Sequence, residues 1–166
     1  MIVSSAISGT FVDEVDDALE DTTDETGPAD SGDDSDAGVG EPVRDGNFEF
    51  TVGDVEQGET TIGDDILSEE AQGEFVIIDL TVKNIGDEAG TFFDSDQKLF
   101  DTDGNEYSAS SEAGLLLEGN DVWLTEINPG NQVEGKIVFD IPTGTTPATL
   151  ELHDSAFSGG VEVSLE

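Results

Sequence analysis

The stretch that decides the fold is Phe75-Val76-Ile77-Ile78-Asp79-Leu80-Thr81-Val82-Lys83, followed by Asn84-Ile85-Gly86-Asp87. Successive side chains of an extended chain point to opposite sides, so Val76, Ile78, Leu80 and Val82 share one face while Asp79, Thr81 and Lys83 share the other. Half-buried β-structure is the only regular arrangement that suits this alternation, and the Asn-Ile-Gly-Asp run turns the chain at its end.

The same texture extends in both directions. Upstream, Phe48-Glu49-Phe50-Thr51-Val52 alternates, with Gly53 expected to end the strand. Downstream, Phe92-Phe93 and Lys98-Leu99-Phe100 read as short strand pieces, the second entering the turn-rich Asp101-Thr102-Asp103-Gly104-Asn105 and returning through Tyr107 as a hairpin. Val122–Thr125 and Gly135–Ile141 flank Asn128-Pro129-Gly130-Asn131, where Pro sets the first turn angle and Gly accepts positive φ at the next position. Leu150 and Leu152, then Val161, Val163 and Leu165, complete at least seven short strands. No helical stripe of useful length follows residue 47. The expected fold is all-β: an antiparallel, immunoglobulin-like two-sheet sandwich over residues 47–166.

Residues 13–46 contain few apolar side chains and cannot bury enough surface to offset ordering entropy, so they are predicted to be a disordered acidic linker. Before them, Ile2–Val12 is apolar and rich in small residues, yet too short to span a bilayer and without the basic start of a signal peptide. Two readings of residues 1–12 stand: the end of a signal or membrane helix that starts upstream, or a ragged terminus.

Charge bounds the partners. The chain carries 41 acidic residues against Arg44, Lys83, Lys98 and Lys136, a formal net charge of −37. Such a field repels nucleic acid and anionic lipid, which excludes both as partners. The acids continue through the strands: residues 47–166 hold 27 of them against three lysines. Self-repulsion on this scale favours a salty environment, where the Debye length falls to about 3 Å at molar ionic strength. The composition resembles that of proteins from halophilic archaea. Cysteine is absent, which removes disulfides, thiolate metal sites and a cysteine-linked lipid anchor.

In order along the chain, Gly73–Gly86, Leu99–Tyr107, Asn128-Pro129-Gly130 and Gly135–Pro142 resemble the domain of unknown function numbered forty-three fifty-two. The resemblance implies an immunoglobulin-like sandwich of the kind found in secreted or lipid-anchored proteins of bacteria and archaea, a mycobacterial secreted antigen among them, often behind a low-complexity linker. It supplies no catalytic residues, and none are assigned.

Candidate sites are few. Asp101, Asp103 and Asn105 offer part of a calcium-loop pattern, with Asp94 and Asp96 near in sequence, but no Gly follows the third oxygen ligand, Glu106 standing in its place. A plain hairpin turn is the preferred reading, leaving calcium as the one cofactor candidate. His153, the only histidine, falls on the strand face of Glu151 and is expected to meet solvent. Trp123 is expected in the core, and Leu115-Leu116-Leu117 to tuck beneath the sandwich. Pairs such as Asp64-Asp65 and Glu69-Glu70 read as solvated surface. The expected function is a non-enzymatic, extracytoplasmic or cell-surface module that binds a protein or itself, with strand edges as its means and a membrane tether through an upstream helix. The alternatives are a surface-filament subunit and a cation-binding or hydrolase accessory domain.

Overall fold

The computed structural model describes residues 37–120, 123 and 125–166. The apolar segment 1–12, the linker as far as residue 36, and Val122 and Leu124 of the expected strand lie outside the described residues. Among the described residues, ten strands, a 3-10 turn at Asp94–Asp96 and one short α-helix follow in order: β1 Pro42–Asp45, β2 Phe48–Gly63, β3 Ser68–Asn84, β4 Gly90–Thr91, β5 Lys98–Asp101, β6 Glu106–Ser108, α1 Ser111–Leu115, β7 Glu126–Ile127, β8 Gln132–Ile141, β9 Pro147–Leu152 and β10 Val161–Ser164. They form two four-stranded sheets, ordered β1-β2-β3-β8 and β10-β9-β5-β6, plus the small pair β4-β7. Every named strand pair is antiparallel.

Alternation places the core as expected. Val76, Ile78, Leu80 and Val82 of β3 are buried with Phe48, Phe50 and Val52 of β2 and Ile137, Phe139 and Ile141 of β8. The facing sheet contributes Leu99, Leu150, Leu152, Val161 and Val163. Trp123 is buried against Phe92, ring centroids 4.9 Å apart and edge to face, a favoured aromatic geometry. Full burial of each large aliphatic side chain stabilises the fold by roughly 1.5–3 kcal/mol.

Three sequence expectations are corrected. The folded domain starts before residue 47, because β1 pairs Val43 with Phe50 and Ala37 accepts a backbone hydrogen bond from Ser164 N at 2.7 Å. One inward side chain, Val43, suffices for a short edge strand, and composition cannot distinguish that from linker. Strand β2 does not end at Gly53 but continues to Gly63, with register shifts between Val52 and Val55 and again near Glu59. Its second half has polar faces because it leaves the sandwich.

The third correction is a second, outer core. Phe75, Ile77 and Val138 point away from the sandwich interior yet are buried, together with Ile62 and Ala113. Helix α1 covers them, its start capped by the Ser110 hydroxyl, which accepts from Ala113 N at 3.4 Å. Five residues are too few to register as a helical stripe.

At the far end of β3, Asn84 is fully buried. Its Nδ2 donates to the carbonyls of Glu88 at 2.7 Å and Ile127 at 2.8 Å, and its Oδ1 accepts from Gly86 N at 2.8 Å. One side chain thus closes the turn after β3 and holds β7 beside it. Asn84→Ala leaves these groups without partners and is expected to cost about 2–4 kcal/mol in urea unfolding. A loss below about 0.5 kcal/mol would show that water replaces the amide without penalty.

Candidate interaction surface

Beyond the sandwich, β2 and β3 run on as a two-stranded arm. Strand β8 accompanies β3 only as far as Glu74, which pairs with Ile141; among the described residues, Ser68–Gly73 has β2 as its only neighbouring strand. The register shifts bend the arm, as β-bulges do. Its root is fixed by the Asp140 carboxylate, which accepts from Gln72 N at 2.7 Å and Gly73 N at 3.2 Å. Gly73 lies so close to the Ile141 carbonyl and Pro142 that any Cβ there would collide with backbone. From β2, Gln57 Nε2 donates to Glu74 Oε1 at 2.8 Å and to the Thr145 carbonyl at 2.7 Å.

The tip is a tight turn built on Asp64. Its Oδ1 accepts from Ile66 N at 2.8 Å and Leu67 N at 2.9 Å, while Asp64 N donates to the Leu67 carbonyl at 2.9 Å. The amide bonds from Leu67 and then Ile66 hold the Asp64 carboxyl below its ordinary range, so it stays charged. Gly63 enters the turn at φ +115°, which L side chains rarely adopt. The closed turn leaves Ile66 94% and Leu67 64% exposed.

Facing the tip is the end of α1. Leu116 and Leu117 are half-buried against the outer core, but Leu115 is 55% exposed, so the expected burial of the Leu115–Leu117 run holds for two of its three residues. A groove of about 630 Å³ lies between Leu67 on the arm and Leu115–Gly119, with Gly63 and Asp64 at its margin. Glu118 and Gly119 also line a second groove of about 440 Å³, together with Asp79, Thr81, Glu134 and Lys136. Buried Asn120 clamps this turn to the sheet: its Nδ2 donates to the carbonyls of Gly114 at 2.9 Å and Lys136 at 2.8 Å, and its Oδ1 accepts from Lys136 N at 2.6 Å. Trp123 Nε1 donates to the same Lys136 carbonyl at 2.8 Å. The Lys136 ammonium pairs with Asp79, and that hydrogen bond raises its pKa above the ordinary lysine value.

The residues first singled out for cation chemistry are spent on a turn. The Asp101 carboxylate accepts from Asp103 N, Asn105 N and Asn105 Nδ2, each at 2.9 Å, and from the Tyr107 hydroxyl at 2.8 Å. Asp103 and Asn105 are exposed. Asp94 instead accepts from the Ser111 hydroxyl at 2.9 Å, bracing α1. Among the described residues, no group of three or more His, Cys, Asp or Glu side chains is arranged to hold a metal.

His153 is not directed to solvent as expected, because the turn at Gly160 packs against its ring. It does lie beside Glu151, Nε2 to Oε1 2.6 Å, and its Nδ1 is 3.4 Å from Ser158 Oγ. The three groups line up as in an acid–base relay. However, the Ser158 hydroxyl donates to the Ser155 carbonyl at 2.9 Å, so its proton is committed within the loop. The array staples the connection from β9 to β10.

Sequence reasoning missed Ile66 and Leu67. The available signal was a pair of adjacent large aliphatics directly after Gly63-Asp64-Asp65, out of step with any alternation.

Asp101 carries a pH prediction. The Asn105 side chain first, then the Asn105, Tyr107 and Asp103 donors, lower its pKa from 3.8 to about 2. A depressed folded pKa gives stability that is present above the unfolded value and lost as pH falls through the folded one. The difference in stability between the wild type and Asp101→Asn should therefore shrink as pH falls from about 4 to about 2, measured by urea unfolding at each pH. A constant difference across this window would contradict the assignment.

Comparison with known proteins gives the fold company. The mycobacterial secreted protein MPT63 from Mycobacterium tuberculosis is 18% identical, with a TM-score of 0.56 over 79% of this chain and 95% of its own. The YjhA protein of Bacillus subtilis is 20% identical, TM-score 0.58, over 78% and 99%. A β-sandwich protein from Clostridium difficile is 14% identical, TM-score 0.51, over 80% and 94%. No curated protein matches the chain. Residues 37–163 match the profile of one family, and the chain belongs to it: the family described as Domain of unknown function (DUF4352).

Proposed function

We propose that this chain is a non-enzymatic, extracytoplasmic module that holds a protein partner in the groove between the arm tip and α1. The observation that carries this reading is the meeting of Leu67 and Leu115, both more than half exposed, across a groove on a chain otherwise covered with carboxylates. Apolar surface gathered at a concave site is the usual mark of a contact surface, whereas single exposed apolar residues need no explanation. Phe157 is such a single residue: it is 99% exposed in the loop after β9.

Strand addition at β10, β8 or β2 is a poorer route. Ala37–Gly38 lies along β10, and Ala109, Ser110 and the Asn120 side chain occupy positions on β8. The free side of β2 beyond Thr51 is broken by its register shifts, which disfavours a continuous ladder. Support for the location comes from the similar mycobacterial protein, which is secreted. The acidic exterior supports adaptation to high salt.

The reading is tested by fractionating the native host and measuring retention of the tagged chain. The chain is expected outside the cytoplasm, in the envelope or medium, with partner retention weakened roughly tenfold or more by Leu67→Asp with Leu115→Asp. Both positions are exposed, so the variant's urea midpoint should match the wild type. Cytoplasmic recovery, or retention unchanged by the substitutions, would overturn it. Separately, the urea midpoint should rise steadily from low to molar potassium chloride; an unchanged or falling midpoint contradicts salt adaptation.

A further inference from the structure

We infer that the groove takes an extended segment of a different protein, in which neighbouring aliphatic side chains are followed by a basic residue. This deepens the proposed function and rests on it. Glu118 and Gly119 line both grooves, and the chemistry differs on their two sides. One side is bordered by Leu67, Leu115, Leu116 and Leu117; the other carries Asp79, Glu134 and Lys136. Each volume lies in the range that accommodates a few side chains of a bound segment. Aliphatic groups suit the first side, where they cover the leucines.

On the second side, Glu118, Asp79 and Glu134 face a single cation, Lys136, whose ammonium is already held by Asp79. The surplus is negative, so a Lys or Arg following the aliphatic residues completes the match. The same surplus disfavours an acidic segment, a nucleic acid or an anionic lipid.

A second copy of the chain is a poor occupant, because it cannot readily supply the cation. Of its four basic residues, Arg44 pairs with Glu49 at 2.8 Å, Lys98 with Glu106 at 3.0 Å, and Lys136 with Asp79. Taking any of these would strip a partner from a carboxylate in a chain of net charge −37. Lys83 remains, but it sits on β3 between Glu49 and Gln132, within the sheet and away from any projecting segment.

The test is selection of short random peptides, displayed on phage, against the full chain, followed by titration of the selected peptides. Enrichment of adjacent aliphatic residues next to Lys or Arg is expected. Binding should weaken at least tenfold in Leu67→Asp and in Glu118→Lys, remain unchanged in Phe157→Asp, and fall as salt rises. Selected peptides without basic residues, or binding indifferent to both groove substitutions, overturn the inference. A selection that yields nothing above background overturns it too. Each of these failures leaves the location and partner retention of the proposed function to stand or fall on the fractionation experiment.

Discussion

From Phe75 to Ile78, strand β3 is buried on both faces, and the candidate surface depends on that. Val76, Ile78, Leu80 and Val82 fill the space between the sheets, while Phe75 and Ile77 fill a second apolar layer on the outside. The outer layer is what holds α1, and α1 carries Leu115 to the edge of the groove. It also takes in Ile62 from the arm, which draws the tip back toward the helix instead of leaving it free in solvent. A polar residue at Ile77 would spare the sandwich interior and remove the support for both walls of the groove.

Charge acts on the same geometry from the other side. With so few basic residues, each cation marks a place where the fold concentrates attraction. Arg44 ties β1 to β2, Lys98 ties β5 to β6, and Lys136 ties β8 to β3 at the floor of the second groove. All three pairs are at least partly exposed to solvent, where an ion pair contributes little to stability. Lys136 matters more through its backbone, whose N–H and carbonyl are both gripped by Asn120, with Trp123 sharing the carbonyl. Buried amides thus hold the polar end of the groove, where the chain lacks the cations to build it from ion pairs.

The sandwich was legible because its information is local: β3, β5, β8 and β9 each show alternation within a few residues, and the inward face expected for β3, Val76, Ile78, Leu80 and Val82, is the one that fills the sandwich. Trp123 in the core and the Asp101 turn were legible for the same reason, since an aromatic in a sandwich and an Asx-rich hairpin have strong local preferences. The surface was not legible, because it arises from contacts distant in sequence. Ile77 and Val138 look outward by alternation and are buried only because α1 returns over them. Leu115 reads as part of an apolar run whose orientation is set by a five-residue helix too short to leave a periodic signal. Val43 escaped because a single apolar residue among acids gives no pattern, although its cross-strand partner Phe50 makes it part of the core. The resemblance to the DUF4352 family captured the order of structural motifs, which is the part that sandwich physics constrains.

The central claim is that the groove end of the molecule, and not its opposite end, makes the contact. The most direct measurement places a photo-reactive phenylalanine analogue at Leu115 in one variant and at Phe157 in another, both expressed in the native host and irradiated in its own salt. Phe157 is the more exposed residue, and it lies in the loop tied through Asp154 and Asn47 to the Asn84 end of β3, away from the arm tip. The account predicts a discrete cross-linked partner from position 115 and none from position 157. Equal cross-linking from both positions, or cross-linking from 157 alone, would contradict it.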